Sequence, residues 1–367
     1  MPGERGAWTS GGAWTSRGAV DRIWFGTSRT ERAARAALAP VAVTYAAIAA
    51  ARQQLYDRRI LPTYEPAIPA LSVGNLTVGG TGKTPIAAWL VSTLADRGHR
   101  PGLVLRAYGD GDEAAVHRVL NPTAPIAVDA DRIAGIARIA IDGCDVAVLD
   151  DAFQHQRVRR VADIVLVSAD AWQPTQWSLP AGPWREPLRA LRRASTIIVT
   201  RKAASDTVVA AVRQAVSAAA PEVPVAVASL AAGPLRTLAG DERPLASLRG
   251  ARVVGIAGIG WPPAFFAQLT AAGARVDGAP YPDHHRFTVT DVAQIRRYAV
   301  PGAIAVCTLK DAVKLEGLWP REAERLWYVS QRVEFEFGVD AVLAALEMLG
   351  RIRPAHTRFP ASHRTDS

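Results

Sequence analysis

A glycine-rich segment at residues 72–84 constrains the fold of this chain more than any other feature of its sequence. The segment reads Ser-Val-Gly-Asn-Leu-Thr-Val-Gly-Gly-Thr-Gly-Lys-Thr and lies between an apolar run and a stretch with helical periodicity. A loop between a strand and a helix directs backbone N–H groups and the positive end of the helix dipole at a phosphate. The sequence therefore predicts a phosphate-binding loop in a fold that alternates strands and helices.

Two residues at the end of this segment carry the chemistry expected of a nucleotide site. Lys83 is predicted to contact the β- and γ-phosphates, and the hydroxyl of Thr84 is predicted to bind Mg²⁺. The strict motif has glycine where this chain has Thr77, so the match fails at one position and a plain glycine-rich turn is the alternative. The other residues predicted to line the nucleotide are Thr77, Val78, Gly79, Gly80, Thr81 and Gly82.

A pair of carboxylates comes after a second apolar run further along the chain. Residues 145–149 are predicted to form a buried strand, and Asp150 and Asp151 come directly after it. In phosphoryl-transfer folds such a strand delivers an aspartate to Mg²⁺. A solvated turn at a strand end is the alternative. Downstream of the glycine-rich segment, the pair predicts the acidic side of a magnesium site.

Apolar runs and helical stretches alternate from residue 67 onward. This alternation predicts βαβ units and an α/β fold with a mostly parallel sheet. The turn-rich stretch Ala231–Leu248 predicts a boundary, after which a second, smaller α/β unit begins.

The boundary divides the chain into segments with different expected behaviour. The last predicted helix, near residues 339–349, belongs to the second unit by sequence and can pack back on the first. The predicted segments are a poorly ordered extension at 1–30, a first domain at 31–228, a smaller domain at 229–350 and a mobile tail at 351–367.

The charge balance points to an anionic partner. The chain has 43 Lys and Arg residues against 34 Asp and Glu residues, a net charge of +9, and an excess of this size favours phosphorylated ligands or acidic surfaces. No interleaved aromatic and basic motif is present, which argues against a nucleic-acid partner. Because arginine fills nearly every basic position, a retained lysine indicates a place where a guanidinium does not serve. The lysines are Lys83, Lys202, Lys310 and Lys314, and compositional drift is the interpretation kept for Lys202 and Lys314.

An apolar segment lies ahead of the glycine-rich loop. Residues 36–51 are apolar or small apart from Thr44 and Tyr45, and arginines flank them on both sides. A spanning helix needs about 20 strongly apolar residues, whereas this run is shorter and contains Pro40. We therefore predict a helix at a membrane interface with arginines near lipid phosphates, rather than a transmembrane span. An ordinary buried helix is an equally open alternative.

Five segments together resemble one family, the tetraacyldisaccharide 4'-kinases of lipid A biosynthesis, over roughly residues 30–350. The family's own loop also lacks the first glycine of the strict motif, so Thr77 supports the resemblance. The segments are 73–85, Asp-Asp-Ala-Phe-Gln-His at 150–155, Leu-Pro-Ala-Gly-Pro-Trp-Arg-Glu-Pro at 179–187, Gly-Ile-Ala-Gly-Ile-Gly at 255–260 with Phe265 and Phe266 after it, and Tyr-Pro-Asp-His-His at 281–285 with Thr-Leu-Lys-Asp-Ala-Val-Lys at 308–314.

The resemblance implies an α/β/α sandwich of the P-loop NTPase type and a smaller α/β domain, joined by a two-stranded linker, with the active site in the cleft between them. The implied reaction moves the γ-phosphate of ATP, with Mg²⁺, to the 4'-hydroxyl of a tetraacyl disaccharide 1-phosphate, a lipid A precursor. The implied location is the cytoplasmic face of the inner membrane, where the protein is peripheral or monotopic on an anionic surface. No protein partner is evident from the sequence.

The resemblance also assigns residues outside the loop. Asp112 and His284 are implied to form a base dyad, since an imidazole orients and polarises a carboxylate. Asp110 is a rival for the base, because the loop before Asp112 is shorter than in typical family members, and a turn or surface position is the rival interpretation of His284. Arg185 is implied to neutralise a phosphate and Glu186 to be a further magnesium ligand. The residues implied to line the same cleft are Gln154, His155 and His285.

Departures from the family pattern keep a non-catalytic paralogue open, and a P-loop GTPase or metallochaperone is a second alternative because it shares loops of this kind. Ala107, Ala152 and Leu309 stand where the family usually has Gly, Gly and Glu. A P-loop GTPase or metallochaperone is disfavoured, because residues 200–204 lack the aspartate of the Asn-Lys-x-Asp guanine motif. A non-catalytic paralogue is disfavoured because the loop lysine and the paired aspartates are retained.

Overall fold

The computed structural model describes residues 19–106, 111–260, 262–298, 302–320, 322 and 324–351. Two helices precede the first strand, and strands and helices alternate through most of the chain after it. The α-helices of the described residues are α1 (Ala19–Phe25), α2 (Arg29–Asp57), α3 (Lys83–Asp96), α4 (Asp112–Leu120), α5 (Arg132–Ile141), α6 (Asp206–Ala219), α7 (Pro262–Ala271), α8 (Val289–Tyr298), α9 (Leu309–Leu315) and α10 (Val339–Glu347).

The strands within the same residues form one sheet, in the order β10-β9-β11-β12-β7-β6-β5-β1-β4-β2-β3, with β8 paired to β7. All neighbours are parallel except at β12–β7 and β7–β8, and this confirms the predicted α/β fold with a mostly parallel sheet. The strands are β1 (Ala70–Asn75), β2 (Pro101–Leu105), β3 (Ile126–Val128), β4 (Val146–Asp150), β5 (Ala162–Ser168), β6 (Thr196–Arg201), β7 (Val225–Arg236), β8 (Glu242–Arg243), β9 (Arg252–Ala257), β10 (Arg275–Pro280), β11 (Ile304–Thr308) and β12 (Leu326–Phe337).

Two long strands connect the halves of this sheet. Each of β7 and β12 has 12 residues, and they pair with each other in antiparallel register. The first part of β7 also pairs with β6, while the first part of β12 pairs with β11. Strands β12 and β7 therefore lie between β11 and β6 and connect the two halves of the sheet. They correspond to the two-stranded linker that the resemblance implied.

The turn-rich stretch predicted to begin at Ala231 is wrong over its first residues, because β7 continues to Arg236. Gly233 and Pro234 lie opposite Ser330, where the ladder shifts register, and proline is tolerated in a sheet at such a bulge. A Cβ on Gly233 would lie 2.4 Å from the Ser330 Oγ atom, which instead donates to the Pro234 carbonyl at 2.7 Å. The two turn-forming residues thus build a bulge within the strand.

Hydrophobic burial joins the last helix to the first half of the sheet. Val342 and Leu346 of α10 are buried in the same cluster as Leu71 of β1, Leu90 of α3 and Ile198 of β6. A buried leucine side chain contributes about 2 kcal/mol through the area it removes from water. The chain thus ends, within its described part, against the half that carries the glycine-rich loop.

Helix α2 is longer than the sequence predicted and stands largely in solvent. It has 29 residues, is capped by Ser28 with Glu31 in a capping box, and continues through Pro40. Ala42 is its buried residue, whereas Val43 is 68% exposed. The buried-helix interpretation is therefore wrong. By length and composition alone the helix is long and apolar enough to cross a membrane, and core helices of soluble proteins and signal sequences meet the same criterion.

The first residues of the described chain fold against this helix. The sequence predicts a poorly ordered extension over 1–30; residues 1–18 lie outside the described part, and α1 occupies 19–25. Arg35 donates to the Ile23 carbonyl at 2.5 Å and to the Gly26 carbonyl at 2.7 Å. Trp24 donates from Nε1 to the Pro180 carbonyl at 2.9 Å, which attaches α1 to the 179–187 segment.

Candidate active site

The glycine-rich loop connects β1 to α3, which begins at Lys83. Gly82 has a φ of 90°, and a Cβ there would lie 2.4 Å from Leu230 Cδ1, so both backbone and space require glycine. A Cβ on Gly79 or Gly80 would have nothing within 4 Å. The outer face of the loop is therefore open to a ligand, while its inner face packs tightly.

Two side chains hold the loop from below. Asn75 donates from Nδ2 to the Thr81 hydroxyl at 2.8 Å in a buried contact. The Thr200 hydroxyl, at the end of β6, donates to the Thr81 carbonyl at 2.8 Å. The 179–187 segment closes the side, because Val78 donates its N–H to the Pro183 carbonyl at 2.8 Å. These contacts preorganise the loop before a phosphate binds.

The paired carboxylates lie beside this loop, since β4 is a parallel neighbour of β1 with Asp150 opposite Val73. The Asp151 carboxylate accepts from Arg185 Nη1 at 3.0 and 3.1 Å and lies 3.8 Å from Lys83 Nζ. Burial opposes ionisation, but the charges of Lys83 and Arg185 hold the pKa of Asp151 below its usual value. The sequence-predicted residues Lys83, Asp151 and Arg185 thus form one charged cluster.

Asp150 is held from a different direction. Its Oδ2 atom lies 3.1 Å from Nε2 of His117, on α4, and His117 is fully buried. Arg132 donates from Nη2 to the carbonyls of Asp150 and Asp151, both at 3.0 Å. His117 and Arg132 therefore orient the end of β4, and neither residue lies in a motif that predicts such a role.

The donor set fits Mg²⁺. Among the described residues no group of three or more His, Cys, Asp or Glu side chains is arranged to hold a metal on its own, and Mg²⁺ is usually held by one or two carboxylates together with substrate phosphates. The Oδ1 atom of Asp150 is buried and lacks a hydrogen-bond partner in that part of the chain. Thr84 lies in the first turn of α3. Asp150, Asp151 and Thr84 thus offer the oxygen ligands that this ion prefers.

Glu113 is a site residue to which the sequence assigned no role. It lies in the first turn of α4, after Gly111. Burial and the charge of Asp150 raise the pKa of Glu113 above its usual value, while Lys310 and Lys83 act in the opposite direction. A carboxyl group perturbed by the cleft's own charges is a candidate for a functional role.

Asp112, the first residue of α4, and His284, which follows β10, lie close together. The Nδ1 atom of His284 lies 4.0 Å from Asp112 Oδ2, and His284 has a φ of 58°. Lys314 Nζ lies 2.9 Å from the same Oδ2 atom, and the Lys314 and Asp112 side chains are only 9% and 11% exposed. Lys310 Nζ lies 3.0 Å from His284 Nε2. Drift is therefore the wrong interpretation of Lys314, because its ammonium is a buried ion-pair partner.

The remaining predicted cleft residues make structural contacts. Gln154 donates to the Asn75 carbonyl at 2.7 Å. The ring of His285 lies between Tyr281 and Phe287, with centroids at 4.7 and 5.0 Å, and its Nε2 atom lies 3.1 Å from Asp291 Oδ2.

Two candidates stay predictions. Glu186 accepts from Arg193 Nη2 at 2.7 Å, so an ion-pair partner occupies the carboxylate assigned to Mg²⁺. Asp110, the rival base, lies outside the described residues.

Comparison with known proteins settles the family. The family profile described as tetraacyldisaccharide-1-P 4'-kinase matches residues 34–121 and 109–348. This chain belongs to the tetraacyldisaccharide-1-P 4'-kinase family. A tetraacyldisaccharide 4'-kinase of Aromatoleum aromaticum is 37% identical over 306 residues, which cover 78% of this chain and 86% of the relative. That of Halorhodospira halophila is 35% identical over 341 residues, 88% of this chain and 95% of the relative.

A solved structure shows the same fold. LpxK from Aquifex aeolicus, in complex with ATP, superposes with a TM-score of 0.68 at 24% identity, and the match covers 86% of this chain and 99% of that one. The large, mostly parallel sheet of this kinase family is therefore present here with both of its halves.

We expect the change His117→Ala to lower the free energy of unfolding of this family member by about 2 kcal/mol, since it leaves the buried Asp150 carboxylate without its partner. Chemical denaturation measures the effect. His99→Ala is the matched control, because the His99–Asp145 pair is 3.6 Å apart and 36% and 44% exposed, and exposed pairs contribute little. Equal losses in the two variants would contradict the role of His117.

We expect His155 to make stability fall as the pH drops. Burial, followed by the charges of Arg132, Arg160 and Arg52, lowers the pKa of His155 from 6.5 to about 4. Between these values the unfolded chain takes up a proton that the folded chain does not, so stability is lost from about pH 6.5 down to about pH 4. In His155→Gln this loss should be smaller. Melts of both proteins at several pH values measure it, and parallel curves would contradict it.

Proposed function

We propose that this protein transfers the γ-phosphate of ATP to the 4'-hydroxyl of a tetraacyl disaccharide 1-phosphate, a lipid A precursor. The observation that carries the proposal is that, in a member of this kinase family, Lys83 of the open phosphate loop lies beside Asp151, while the helix that begins with Asp112 contacts the neighbouring Asp150 through His117. The loop follows β1, and the Asp112–His284 pair lies on segments that follow β2 and β10. Folds of the α/β class bind ligands beyond the carboxyl ends of parallel strands.

The nucleotide end of the site requires little covalent chemistry from the protein. Phosphoryl transfer is catalysed mainly by positioning and by neutralising charge. Lys83 and the N–H groups of residues 77–82 would hold the phosphates. Arg185, which donates to Asp151, would also donate to the transferred phosphoryl group and neutralise part of its charge. Asp150, Asp151 and Thr84 would hold Mg²⁺, which would supply positive charge against the negative charge of the phosphates.

The acceptor end requires a base that faces a sugar hydroxyl. The Asp112 carboxylate is proposed to accept that proton, with His284 orienting it. Lys314 Nζ lies 2.9 Å from its buried Oδ2 atom, which keeps the carboxylate in place before the acceptor arrives. A hydroxyl that approaches Asp112 from the cleft would enter between this pair and the phosphate loop.

The lipid nature of the acceptor fits the exposed N-terminal helix. We propose that α2 lies on an anionic inner-membrane surface at the cytoplasmic face. The segment 1–66 has nine Arg against five Asp and Glu, and basic residues beside an apolar helix bind such surfaces. Gln156 donates to Gln53 near the end of α2, and Gln156 comes directly after Gln154 and His155. The helix is therefore joined to the same turn that packs under the phosphate loop.

An acceptor assay tests the proposed reaction. Purified full-length protein, with ATP and Mg²⁺ in detergent, is expected to form the 4'-phosphorylated product from a tetraacyl disaccharide 1-phosphate. Turnover of GTP or of another acceptor in place of this one would overturn the proposal and favour the GTPase alternative. Nucleotide binding without any transfer would favour a non-catalytic paralogue.

We expect the double change Val43→Asp and Ile48→Asp to lower binding to vesicles of phosphatidylethanolamine and phosphatidylglycerol by at least about tenfold, because burial of two such side chains contributes several kcal/mol. Both residues are exposed on α2, at 68% and 65%. Vesicle co-sedimentation measures the binding. Ile141→Asp is the matched control, since Ile141 is 82% exposed on α5. Unchanged binding of the double variant would contradict the membrane role of α2.

A further inference from the structure

Three of the four lysines of this arginine-rich chain lie at the cleft, and one of them has no role in the proposed reaction. Lys83 belongs to the phosphate loop and Lys314 pairs with Asp112. Lys310, on the same helix α9 as Lys314, contacts His284 instead. Lys310 and Lys314 thus lie one helical turn apart on α9, beside Asp112 and His284, in a chain that has only four lysines.

The contact between Lys310 and His284 restricts the protons of the imidazole. A lysine ammonium has three donors and no acceptor. With Lys310 Nζ 3.0 Å from His284 Nε2, the ring nitrogen must present its lone pair. A neutral imidazole carries its proton on one nitrogen, so that proton lies on Nδ1. An imidazolium would set a second donor against the ammonium, so this contact disfavours the doubly protonated ring.

The nitrogen that is left protonated is the one that faces the base. His284 Nδ1 lies 4.0 Å from Asp112 Oδ2, and such contacts often tighten when substrate binds. The carboxylate of Asp283 lies 3.9 Å from Lys310 Nζ and balances its charge. It also lies 3.9 Å from His284 Nε2, which is beyond hydrogen-bond distance, so Lys310 at 3.0 Å is the nearer partner of that nitrogen. The backbone N–H of His284 donates to the same carboxylate at 3.0 Å, which fixes the loop on which the imidazole stands.

We propose that Lys310 is a positioning residue that holds His284 in the Nδ1–H tautomer, so that the imidazole donates to Asp112 and leaves that carboxylate as an acceptor for the sugar hydroxyl. The catalytic consequence rests on the proposed function, whereas the tautomer is a property of the protein alone. With the other tautomer, Nδ1 would present a lone pair to the Asp112 carboxylate, and the two acceptors would repel each other.

Nitrogen-15 NMR of the histidine rings in the full-length protein, without substrates, measures the tautomer directly. The His284 signals are assigned by their loss in His284→Gln. In the wild type we expect a protonated Nδ1 and an unprotonated Nε2. In Lys310→Met we expect the proton on Nε2 or averaged over both nitrogens. In Lys310→Arg the Nδ1–H form should persist, because a guanidinium also has donors only. Arg252→Met is the control, since it removes an exposed charge at the opposite end of strand β9.

A wild-type ring with its proton on Nε2, or the same tautomer in Lys310→Met, would overturn the proposal. The kinetic arm uses the same variants: kcat of Lys310→Met should fall about 10- to 100-fold, as for other partners that fix a histidine tautomer, with the KM for ATP unchanged. Lys310→Arg should recover most of the rate. An unchanged kcat in Lys310→Met would overturn the catalytic role, whereas an inactive wild type with the expected tautomer would overturn the proposed function and leave the tautomer assignment standing.

Discussion

Replacing Lys83 with alanine is expected to lower kcat by roughly a thousandfold or more. Lys83 is the first residue of helix α3, at the end of the open phosphate loop. Its ammonium therefore adds a full positive charge to the helix dipole and the N–H groups that face the phosphates. Its loss removes a neutralising group where negative charge is transferred. It also leaves Asp151 paired with Arg185 alone, which holds that arginine on the carboxylate rather than freeing it for phosphate.

The controls for Lys83 separate charge from shape. Lys83→Arg keeps the charge but needs room for a planar guanidinium, whereas the Lys83 side chain is 17% exposed and lies against Asp151. We expect this variant to recover less than a tenth of the wild-type rate. Steady-state kinetics and nucleotide-binding titrations measure both effects. Full activity in Lys83→Ala would show that the loop does not hold the transferred phosphate.

The local structure around this lysine was predictable from the sequence, because its causes are local. An apolar run, a turn of glycines and a helical stretch predict the unit from β1 to α3 without help from the rest of the chain. Strand bounds were less accurate: the strand before the paired aspartates was expected at 145–149 and lies at Val146–Asp150, since hydrophobicity does not reveal where the ladder of hydrogen bonds ends.

Structure that depends on contacts between distant parts of the chain was harder to predict from the sequence. Strand β12 has alternating charged and apolar residues over Val333–Phe337, a signal for a strand, yet its 12-residue length depends on pairing with β7. The resemblance, rather than the residue pattern, implied this pair.

The residues of the candidate site also fall into those that local motifs predicted and those that depend on distant parts of the chain. Lys83 was found because it follows a recognisable run of glycines and begins a helix. Asp150 and Asp151 were found because they lie at the end of a strand downstream of that run. His117 was not, since it reaches a carboxylate 33 residues away in sequence and looks like any polar residue of a helix. Drift was the wrong interpretation of Lys314 for the same reason: its partner, Asp112, is supplied by a different helix in the other half of the molecule.

The change Asp112→Asn is expected to lower kcat by about 10² to 10⁴-fold, the usual contribution of a general base. The amide keeps the shape of the side chain but cannot take up the proton of the sugar hydroxyl. Nucleotide binding should be unaffected, because the phosphate loop does not include Asp112. Transfer to the disaccharide acceptor and ATP binding are measured in parallel. Asp277→Asn is the control, because Asp277 is exposed on the edge strand β10.

The rival aspartate makes this test decisive. If Asp110→Asn loses the activity and Asp112→Asn keeps it, the base is Asp110. The contact between Asp112 and His284 would then not identify the base. If both retain the wild-type rate, neither aspartate removes the proton.

The ion pair between Lys314 and Asp112 provides a second test of the base assignment. Because Lys314 Nζ lies 2.9 Å from Asp112 Oδ2 in a nearly buried contact, Lys314→Met should lower kcat when Asp112 is present. In the Asp112→Asn background the same change should have little further effect, because two residues that act as one unit are not additive. Additive losses in the double variant would mean that Lys314 contacts the acceptor itself rather than acting through the base, since only an independent interaction would survive the removal of the carboxylate.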